Sequence, residues 1–431
     1  MKKSKFVRST IILLIGGFIT KLLSMLIRIV MARSLGPTGM GIYMLVLPTF
    51  TLLMALAQLG LPVAISKLVA EDKSNNKNLV FSILPVTLLF NLVLLLIMFF
   101  SARFLSIYLL HEERCYYSLM AIGLVLPFIS VSSILRGYFF GKEKMFPHVL
   151  SNVVEDLVRL IIVVIGIPIF LSKGIEYATA FIVLANIGSE VTSIIILFFF
   201  LPKNFHLSKK DFVPQKKNIL DILRISLPTT GSRLIGSIGY FFEPIILTFV
   251  LLRLGYSNGY VVGEYGIISG YVMPLLMMPS FFTMAISQAL IPIVSYHHSH
   301  GNLVYARKKV RQAIFFSLLI GIPVTILFLW IPELPLRLIY KQVHGALYTK
   351  VLAPICLLYY IQAPLTGTLQ AMGKAKAAMN GTLGGMILRI LFLFVFSSFK
   401  IGLWGLIIAT AINIIYVTLH QAREVKKELA S

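Results

Sequence analysis

The stretch STIILLIGGFITKLLSMLIRIVMA, residues 9–32, is long and apolar enough to cross a bilayer as a helix. It contains two cations, Lys21 and Arg28, and no acid. A cation at bilayer depth costs roughly 2.5–3.5 kcal/mol on insertion scales, so such a residue indicates a functional site. The seven-residue spacing is about two helical turns, so both cations share one face, about 10 Å apart along the axis. We predict a helix whose cationic face meets water or an anion; snorkelling to an interface is the alternative.

The composition extends this pattern to all 431 residues. Hydrophobic residues make up 58% of the chain and charged residues 13%, with a mean hydropathy of +0.90, whereas soluble domains carry about 25% charged residues. We therefore predict an all-α polytopic membrane protein with about twelve transmembrane helices. The predicted spans are residues 9–32, 41–66, 79–102, 117–140, 147–171, 177–201, 219–252, 264–296, 312–331, 351–372, 379–399 and 402–422.

The distribution of Lys and Arg predicts the orientation in the membrane. The N-terminus and the connections on its side carry 23 of these residues, the opposite side carries nine, and seven lie within spans. The positive-inside rule then places both termini in the cytoplasm of a multi-pass protein of the cell membrane. It also accounts for most of the net charge of +23, which would suggest nucleic acid in a soluble protein. We expect anionic membrane lipids as partners, and no nucleic acid.

The sequence is organised as two similar halves. The basic stretch 203–218 separates an N-terminal six-helix lobe, residues 1–202, from a C-terminal six-helix lobe, residues 219–431. Short motifs recur in the same order: Gln58 and Pro62 are echoed by Gln288 and Pro292 at the same spacing. Because six is an even number of helices, the repeats would have the same orientation, as in two-bundle transporters.

The motifs of several enzyme classes are missing from the sequence. It contains no Walker-type nucleotide-binding loop and no Cys/His/Glu pattern with metal-ligand spacing. Its two cysteines, Cys115 and Cys356, are far apart, and the tract His297, His298, His300 belongs to a basic loop. We therefore predict a protein that is not an enzyme, with no cofactor and no metal site. Transport is the natural function of two such bundles.

Four charged residues in the fifth and sixth spans are candidates for gating or coupling. Glu155 and Arg159 are four residues apart and can pair on one helix face, with Asp156 beside them. A neutralised pair at the helix end and a gating or substrate role both remain open. Glu190 is isolated in its span. It could pair with Arg159 or take up a coupling proton.

The seventh span supplies two further candidates, Arg233 and Glu243. Counting along the repeat places Glu243 one turn from the position equivalent to Lys21. We therefore expect an interior salt bridge between Lys21 and Glu243, which a substrate could displace to drive a conformational change. Arg136 and Arg389 lie near the cytoplasmic ends of their spans, where snorkelling is the default expectation.

Cations outnumber acids within the spans by seven to four, so we expect an electropositive interior. Such a cavity selects an anionic substrate, and phosphate or diphosphate is the natural match. The predicted substrate-binding residues are Lys21, Arg28 and Arg233. The predicted gating, coupling or ion-pair residues are Glu243, Glu155, Asp156, Arg159, Glu190 and Arg136.

Three segments carry a resemblance to a known family. They are LGLPVAISKLVAE (residues 59–71), RGYFFGKEKMFPHVLSNVVEDLVR (residues 136–159) and ISQALIPIVS (residues 286–295). Together they resemble the stage V sporulation protein B family, in the polysaccharide-transporter branch of the MOP flippase superfamily. The resemblance implies two six-helix lobes in a V, as in MATE transporters, and alternating access.

The resemblance also implies a cargo. In sporulating Gram-positive bacteria this would be a peptidoglycan precursor on undecaprenyl diphosphate, lipid II. For such a flippase we expect the membrane potential or an ion gradient as motive force, with H⁺ or Na⁺ as the coupling ion. Relatives use basic residues of the first helix to meet the diphosphate; Lys21 matches that position and Arg28 matches less closely. Members compared also carry two further C-terminal helices, which would follow Ser431. The alternatives are a cation-coupled multidrug exporter of the MATE type and a non-transporting scaffold for wall synthesis.

Overall fold

The computed structural model describes residues 2–71, 76–202 and 209–430, and these form helices and connecting turns with no strand among them. The predicted all-α membrane fold is confirmed. Part of the predicted basic linker, residues 203–208, lies outside the described residues. The described part of that linker includes a short helical turn, Lys209–Phe212.

The chain divides into two compact units, Met1–Phe241 and Phe242–Ser431. This division falls inside one long helix, Lys216–Arg253, rather than in the stretch 203–218. A compact unit is defined by contacts and a repeat by sequence similarity. The lobe boundary read from the repeat therefore stays a prediction.

The described residues of the N-terminal unit form seven α-helices and the first part of an eighth. They are α1 (Lys2–Gln58), α2 (Leu61–Ala70), α3 (Asn76–Ser82), α4 (Leu84–Phe104), α5 (Tyr116–Gly141), α6 (Met145–Leu171), α7 (Ile175–Phe199) and the start of α8 (Lys216–Arg253). A buried cluster that includes Ile65, Phe81, Leu135 and Phe139 holds α2 to α5 together.

Helix α1 is broken at Gly36. Its 57 residues would be about 85 Å long if straight, far more than the roughly 30 Å hydrocarbon core of a bilayer. Gly36 has φ 67° and ψ −178°, a conformation that glycine adopts without a steric penalty. Pro37 follows and suits the start of a helix because it lacks an N–H. The first two predicted spans are thus the two halves of α1, the second continuing into α2.

As far as the structure describes it, the C-terminal unit contains the rest of α8 and eight further α-helices. They are α9 (Asn258–Gly266), α10 (Met273–Met277), α11 (Ser280–Ser299), α12 (Leu303–Trp330), α13 (Glu333–Tyr340), α14 (Ala346–Ala371), α15 (Ala375–Ser397) and α16 (Trp404–Ala430). A π-helical turn, Ile267–Val272, joins α9 to α10. Leu290, Val294, Val310 and Leu369 are central to the buried cluster that packs α11, α12, α14 and α16 together.

Ten helices of the described chain are long and apolar enough to cross a membrane, compared with twelve predicted spans. One difference is that the continuous segment Ile11–Ala70 contains the first two spans. The other is α6, whose 27 residues include Glu155, Asp156 and Arg159. Those three charges lower the apolar character of a helix that is long enough to cross.

Candidate functional site

A polar cavity of about 330 Å³ opens in the N-terminal unit. Three helices supply its walls: α1, α5 and α6. Helices α1 and α6 pack closely at Gly16, where an added Cβ atom would lie 2.1 Å from Cγ1 of Val149. The cavity is lined by Thr20, Lys21, Ser24, Arg136, Asn152, Glu155, Asp156 and Arg159.

Glu155 is the centre of the charged network in this cavity. Its Oε1 accepts a hydrogen bond of 2.7 Å from Nη2 of Arg159, one helical turn away on α6. Its Oε2 accepts another from Nη2 of Arg136 on α5. Arg136 also donates to Oγ of Ser193 on α7 at 2.9 Å. One buried carboxylate therefore holds two guanidinium groups and joins α5 to α6, and Arg136 extends the network to α7.

Two further acids border the same arginines. Asp156 lies 3.5 Å from Nη1 of Arg159, and Ser24 of α1 lines the same cavity. Glu190, on α7, lies 3.5 Å from Nη2 of Arg136. All three carboxylates are buried. Ion pairing of this kind lowers the cost of charge at membrane depth.

Lys21 differs from every other charge of the cavity. Its side chain is exposed and lines the cavity, yet in the described part of the chain it forms no ion pair. Arg28 is also exposed and unpaired within those residues, but it does not line the cavity.

Arg233, the third predicted substrate-binding residue, lies on α8 within the N-terminal unit. It is exposed, and its Nη1 donates to Oε1 of Gln58 at 3.3 Å. Gln58 ends α1 next to a sharp break, where Leu59 and Gly60 both have positive φ. Arg233 is therefore placed at this break, and the cavity beside Lys21 is lined by other residues.

Glu243 belongs to a separate pair in the C-terminal unit. Its Oε2 lies 2.8 Å from Nη2 of Arg389 on α15, and the Tyr265 hydroxyl approaches its Oε1 at 3.5 Å. Glu243 is 4% exposed. The expected partner of Glu243 was Lys21; the partner that the structure gives it is Arg389 of its own unit.

Three other expectations are corrected. Arg136 and Arg389 were expected to snorkel, but each is directed to a buried carboxylate, because an ion pair stabilises a cation at depth better than lipid does. For Glu190, pairing with Arg159 was one of two expectations; the arginine within ion-pair distance of it is Arg136, and uptake of a coupling proton stays a prediction. The spacing of residues along one helix does not predict which arginine of a neighbouring helix will lie next to an acid.

The neutral side chains of the site were not predicted. Thr20 and Ser24 flank Lys21, and Asn152 precedes Glu155 by one turn on α6. Helical spacing from Lys21 and Glu155 could have suggested them, because residues three or four apart share a face. Ser193 gives no such signal, since its contact with Arg136 depends on how α7 packs on α5.

The arrangement suits the binding of an anion. The arginines of the cavity are held by carboxylates, and Lys21 has an ammonium group available for another partner. Lysine binds phosphate groups as a compact point charge. Among the described residues, no group of three or more His, Cys, Asp or Glu side chains could hold a metal ion.

Comparison with known proteins gives a family and named relatives. The family model described as polysaccharide biosynthesis protein matches residues 6–298, and a model described as MatE matches residues 233–395. The chain is 38% identical to stage V sporulation protein B of Bacillus subtilis (strain 168), an alignment that covers all of this chain and 85% of the relative. It is 22% identical to lipid II flippase MurJ of the same organism, covering 90% of this chain and 76% of that protein.

A solved structure supports the fold. The inward-facing conformation of a multidrug resistance MATE family transporter of the MOP superfamily aligns with a TM-score of 0.72 and 18% identity. The alignment covers 95% of this chain and 94% of that one. At this identity the likeness concerns the fold alone.

Proposed function

This chain belongs to the polysaccharide biosynthesis protein family, with stage V sporulation protein B as a relative, and from that premise we propose that it flips a lipid-linked oligosaccharide across the membrane. It is a multi-pass membrane transporter and not an enzyme. The proposed cargo is an undecaprenyl-diphosphate saccharide, lipid II, used for cell wall or spore cortex.

One observation carries this proposal: Lys21 is an unpaired cation in a membrane cavity whose other charges hold one another. A diphosphate offers it several anionic oxygens, and charge-assisted hydrogen bonds to such oxygens are short and strong. The saccharide would follow the diphosphate through the protein while the prenyl chain stays in lipid. Alternating access between two conformations would release it on the other side.

Substitution of Lys21 tests the proposal. We expect Lys21→Ala to abolish complementation of a flippase-deficient strain, while the protein still accumulates in the membrane. Loss of folding is not expected, because Lys21 is exposed and supports no ion pair. Labelled lipid II at the outer face of cells, detected with and without the protein, gives the direct measurement.

Arg224→Ala is the matched control, since it removes an exposed cation of α8 that does not line the cavity. It should complement normally. Full activity of Lys21→Ala would contradict the proposed role of Lys21, and equal loss in both variants would show only a general need for cations.

A cation-coupled multidrug exporter is the second candidate, favoured by the MatE match over residues 233–395. An organic cation needs an acid with free charge. Here Glu155, Asp156, Glu190 and Glu243 each lie within ion-pair distance of an arginine, which argues for the anionic cargo. Efflux of a cationic dye from vesicles, competed by Na⁺ or H⁺, would reverse this ranking.

A further inference from the structure

The charged cluster of the N-terminal unit has one carboxylate more than it has arginines. Three acids, Glu155, Asp156 and Glu190, lie within ion-pair distance of only two arginines, Arg136 and Arg159. The side chains of all five are at most 25% exposed. If every group is ionised, the cluster carries one excess negative charge. Such a charge is costly at membrane depth unless a cation or a proton compensates it.

Lys21 is the cation that compensates this charge in the resting protein. It lines the same cavity as Glu155 and Asp156 without pairing to either. Counting Lys21, the cavity and its border are formally neutral. An anionic head group that engages Lys21 removes this compensation and adds negative charge of its own. Protonation of one carboxylate restores neutrality at the lowest cost in free energy.

Glu190 is the carboxylate least stabilised as an anion. Glu155 accepts hydrogen bonds from two guanidinium groups. Asp156 and Glu190 each lie 3.5 Å from one arginine, but the Glu190 side chain is the more buried of the two, 8% exposed against 12%. Glu190 has one arginine at 3.5 Å, and within the described residues its Oε2 lacks a hydrogen-bond donor. Burial with few donors favours the protonated form of an acid.

The groups around Glu190 come from each helix that packs on this part of α7. Helix α5 presents Arg136 and the Ser132 hydroxyl, and α6 presents Glu155 and Arg159. Helix α1 contributes Lys21 to the adjoining cavity. Of the two carboxylates in this set, Glu155 accepts direct hydrogen bonds from arginines, whereas Glu190 lies 3.5 Å from Arg136.

We propose that Glu190 is a proton-binding site coupled to Lys21, so that binding of a diphosphate head group brings one proton into the N-terminal unit. The inference rests on the proposed function and adds a coupling ion and its site to it. The proton comes from bulk water and leaves when the head group is released. A transmembrane proton gradient would then bias the direction of transport.

Isothermal titration calorimetry of the purified full chain with lipid II, in two buffers of different ionisation enthalpy, tests the coupling. We expect the wild type to take up about one proton per lipid II bound, as linkage requires when a group changes protonation. Glu190→Gln should bind lipid II and take up none, because the amide mimics the protonated acid. Comparing the two proteins cancels any proton that lipid II itself gains or loses.

Glu176→Gln is the matched control, since it makes the same change on the same helix, in the first turn of α7. It should take up one proton like the wild type. A second readout needs no variant: lipid II should produce a protonated-carboxyl band in the infrared difference spectrum of the wild type, absent in Glu190→Gln.

Binding without proton uptake and without this band would overturn the coupling and leave the proposed function standing. Equal uptake by the wild type and Glu190→Gln would also overturn it. If the wild type does not bind lipid II at all, the proposed function fails, and the coupling fails with it.

Discussion

Glu155 holds two guanidinium groups at once, and the charge balance of α5, α6 and α7 depends on it. Lys21, in the same cavity, holds none. The two residues therefore make opposite contributions: one stabilises the fold, and the other is available to a ligand. A charged residue without an ion-pair partner is costly in a membrane, so it indicates a role in function rather than in stability.

This contrast predicts two different stability effects. Glu155→Gln leaves Arg136 and Arg159 without their shared carboxylate and should lower the free energy of unfolding by about 3–5 kcal/mol. Lys21→Gln should lower it clearly less, because Lys21 forms no direct ion pair in the described part of the chain and a proton on a neighbouring carboxylate can replace its charge. Thermal unfolding followed with a thiol-reactive dye can measure both, since Cys115 and Cys356 are buried free thiols. Equal destabilisation by the two variants would contradict the division of roles.

The pair Glu243–Arg389 allows a double-mutant test in the other unit. Arg389→Met leaves Glu243 buried without its cation and should destabilise the protein by about 3–5 kcal/mol. Adding Glu243→Gln removes the orphaned charge, so the double variant should recover most of the loss. The same dye assay measures all three variants. Additive losses would mean that the two side chains do not depend on each other.

At the residue scale, the sequence could predict which side chains carry charge into the membrane but only some of their partners. Glu155 and Arg159 pair along one helix, so spacing was sufficient. Arg136 and Arg389 find acids on other helices, and those contacts depend on packing between helices. The predicted roles of these residues remain predictions.

Helix α5 illustrates how an element places the site. Gly137 and Gly141 face α2, and added Cβ atoms would lie 2.9 Å from the Pro62 carbonyl oxygen and 2.6 Å from that of Ser66. Small residues four apart allow two helix backbones to approach closely in membrane proteins. This contact fixes the position of α5 against α2. It thereby also fixes Arg136, the residue just before Gly137.

Gly141→Ala should therefore separate α5 from α2, because the neighbouring atom is backbone and cannot rotate away. We expect a loss of about 1–3 kcal/mol in the free energy of unfolding, with weaker complementation. Gly236→Ala on α8 is the control, since nothing lies within 4 Å of its Cβ position. The control should match or exceed the wild type in thermal unfolding. A neutral Gly141→Ala would exclude the close contact.

The lengths of the helices were less predictable than their existence. The apolar pattern located the membrane segments, but it gave no sign that α1 continues through the second span after turning at Gly36. The eighth predicted span, residues 264–296, contains a π-helical turn and separate helices α10 and α11. Hydropathy averages over such breaks, because breaks depend on single Gly and Pro residues.

For the whole molecule, the fold matches that of one solved MATE family transporter of the MOP superfamily over 95% of the chain. Composition was enough to predict a polytopic all-α protein, because 58% hydrophobic residues exceed what a soluble surface tolerates. The internal repeat and the sidedness of the loops rest on sequence patterns alone and remain predictions.

The predicted sidedness can be tested with single cysteines in a Cys115→Ala, Cys356→Ala background. Ser299→Cys lies at the end of α11, on the predicted cytoplasmic side, and Val343→Cys lies between α13 and α14 on the other. Both positions are exposed. A membrane-impermeant maleimide added to intact cells should label Val343→Cys alone, and Ser299→Cys only after permeabilisation. The reverse pattern would place both termini outside.

The three charges of α6 also bear on how the chain enters the membrane during synthesis. Each costs roughly 2.5–3.5 kcal/mol at the centre of a helix that inserts alone. Arg136 leaves the ribosome before Glu155, and only three residues separate α5 from α6. The two helices can thus leave the translocon as a hairpin whose arginine already holds the carboxylate. During biogenesis α5 would then stay in the translocon until α6 has been synthesised. The two helices would form one unit of insertion as well as of structure.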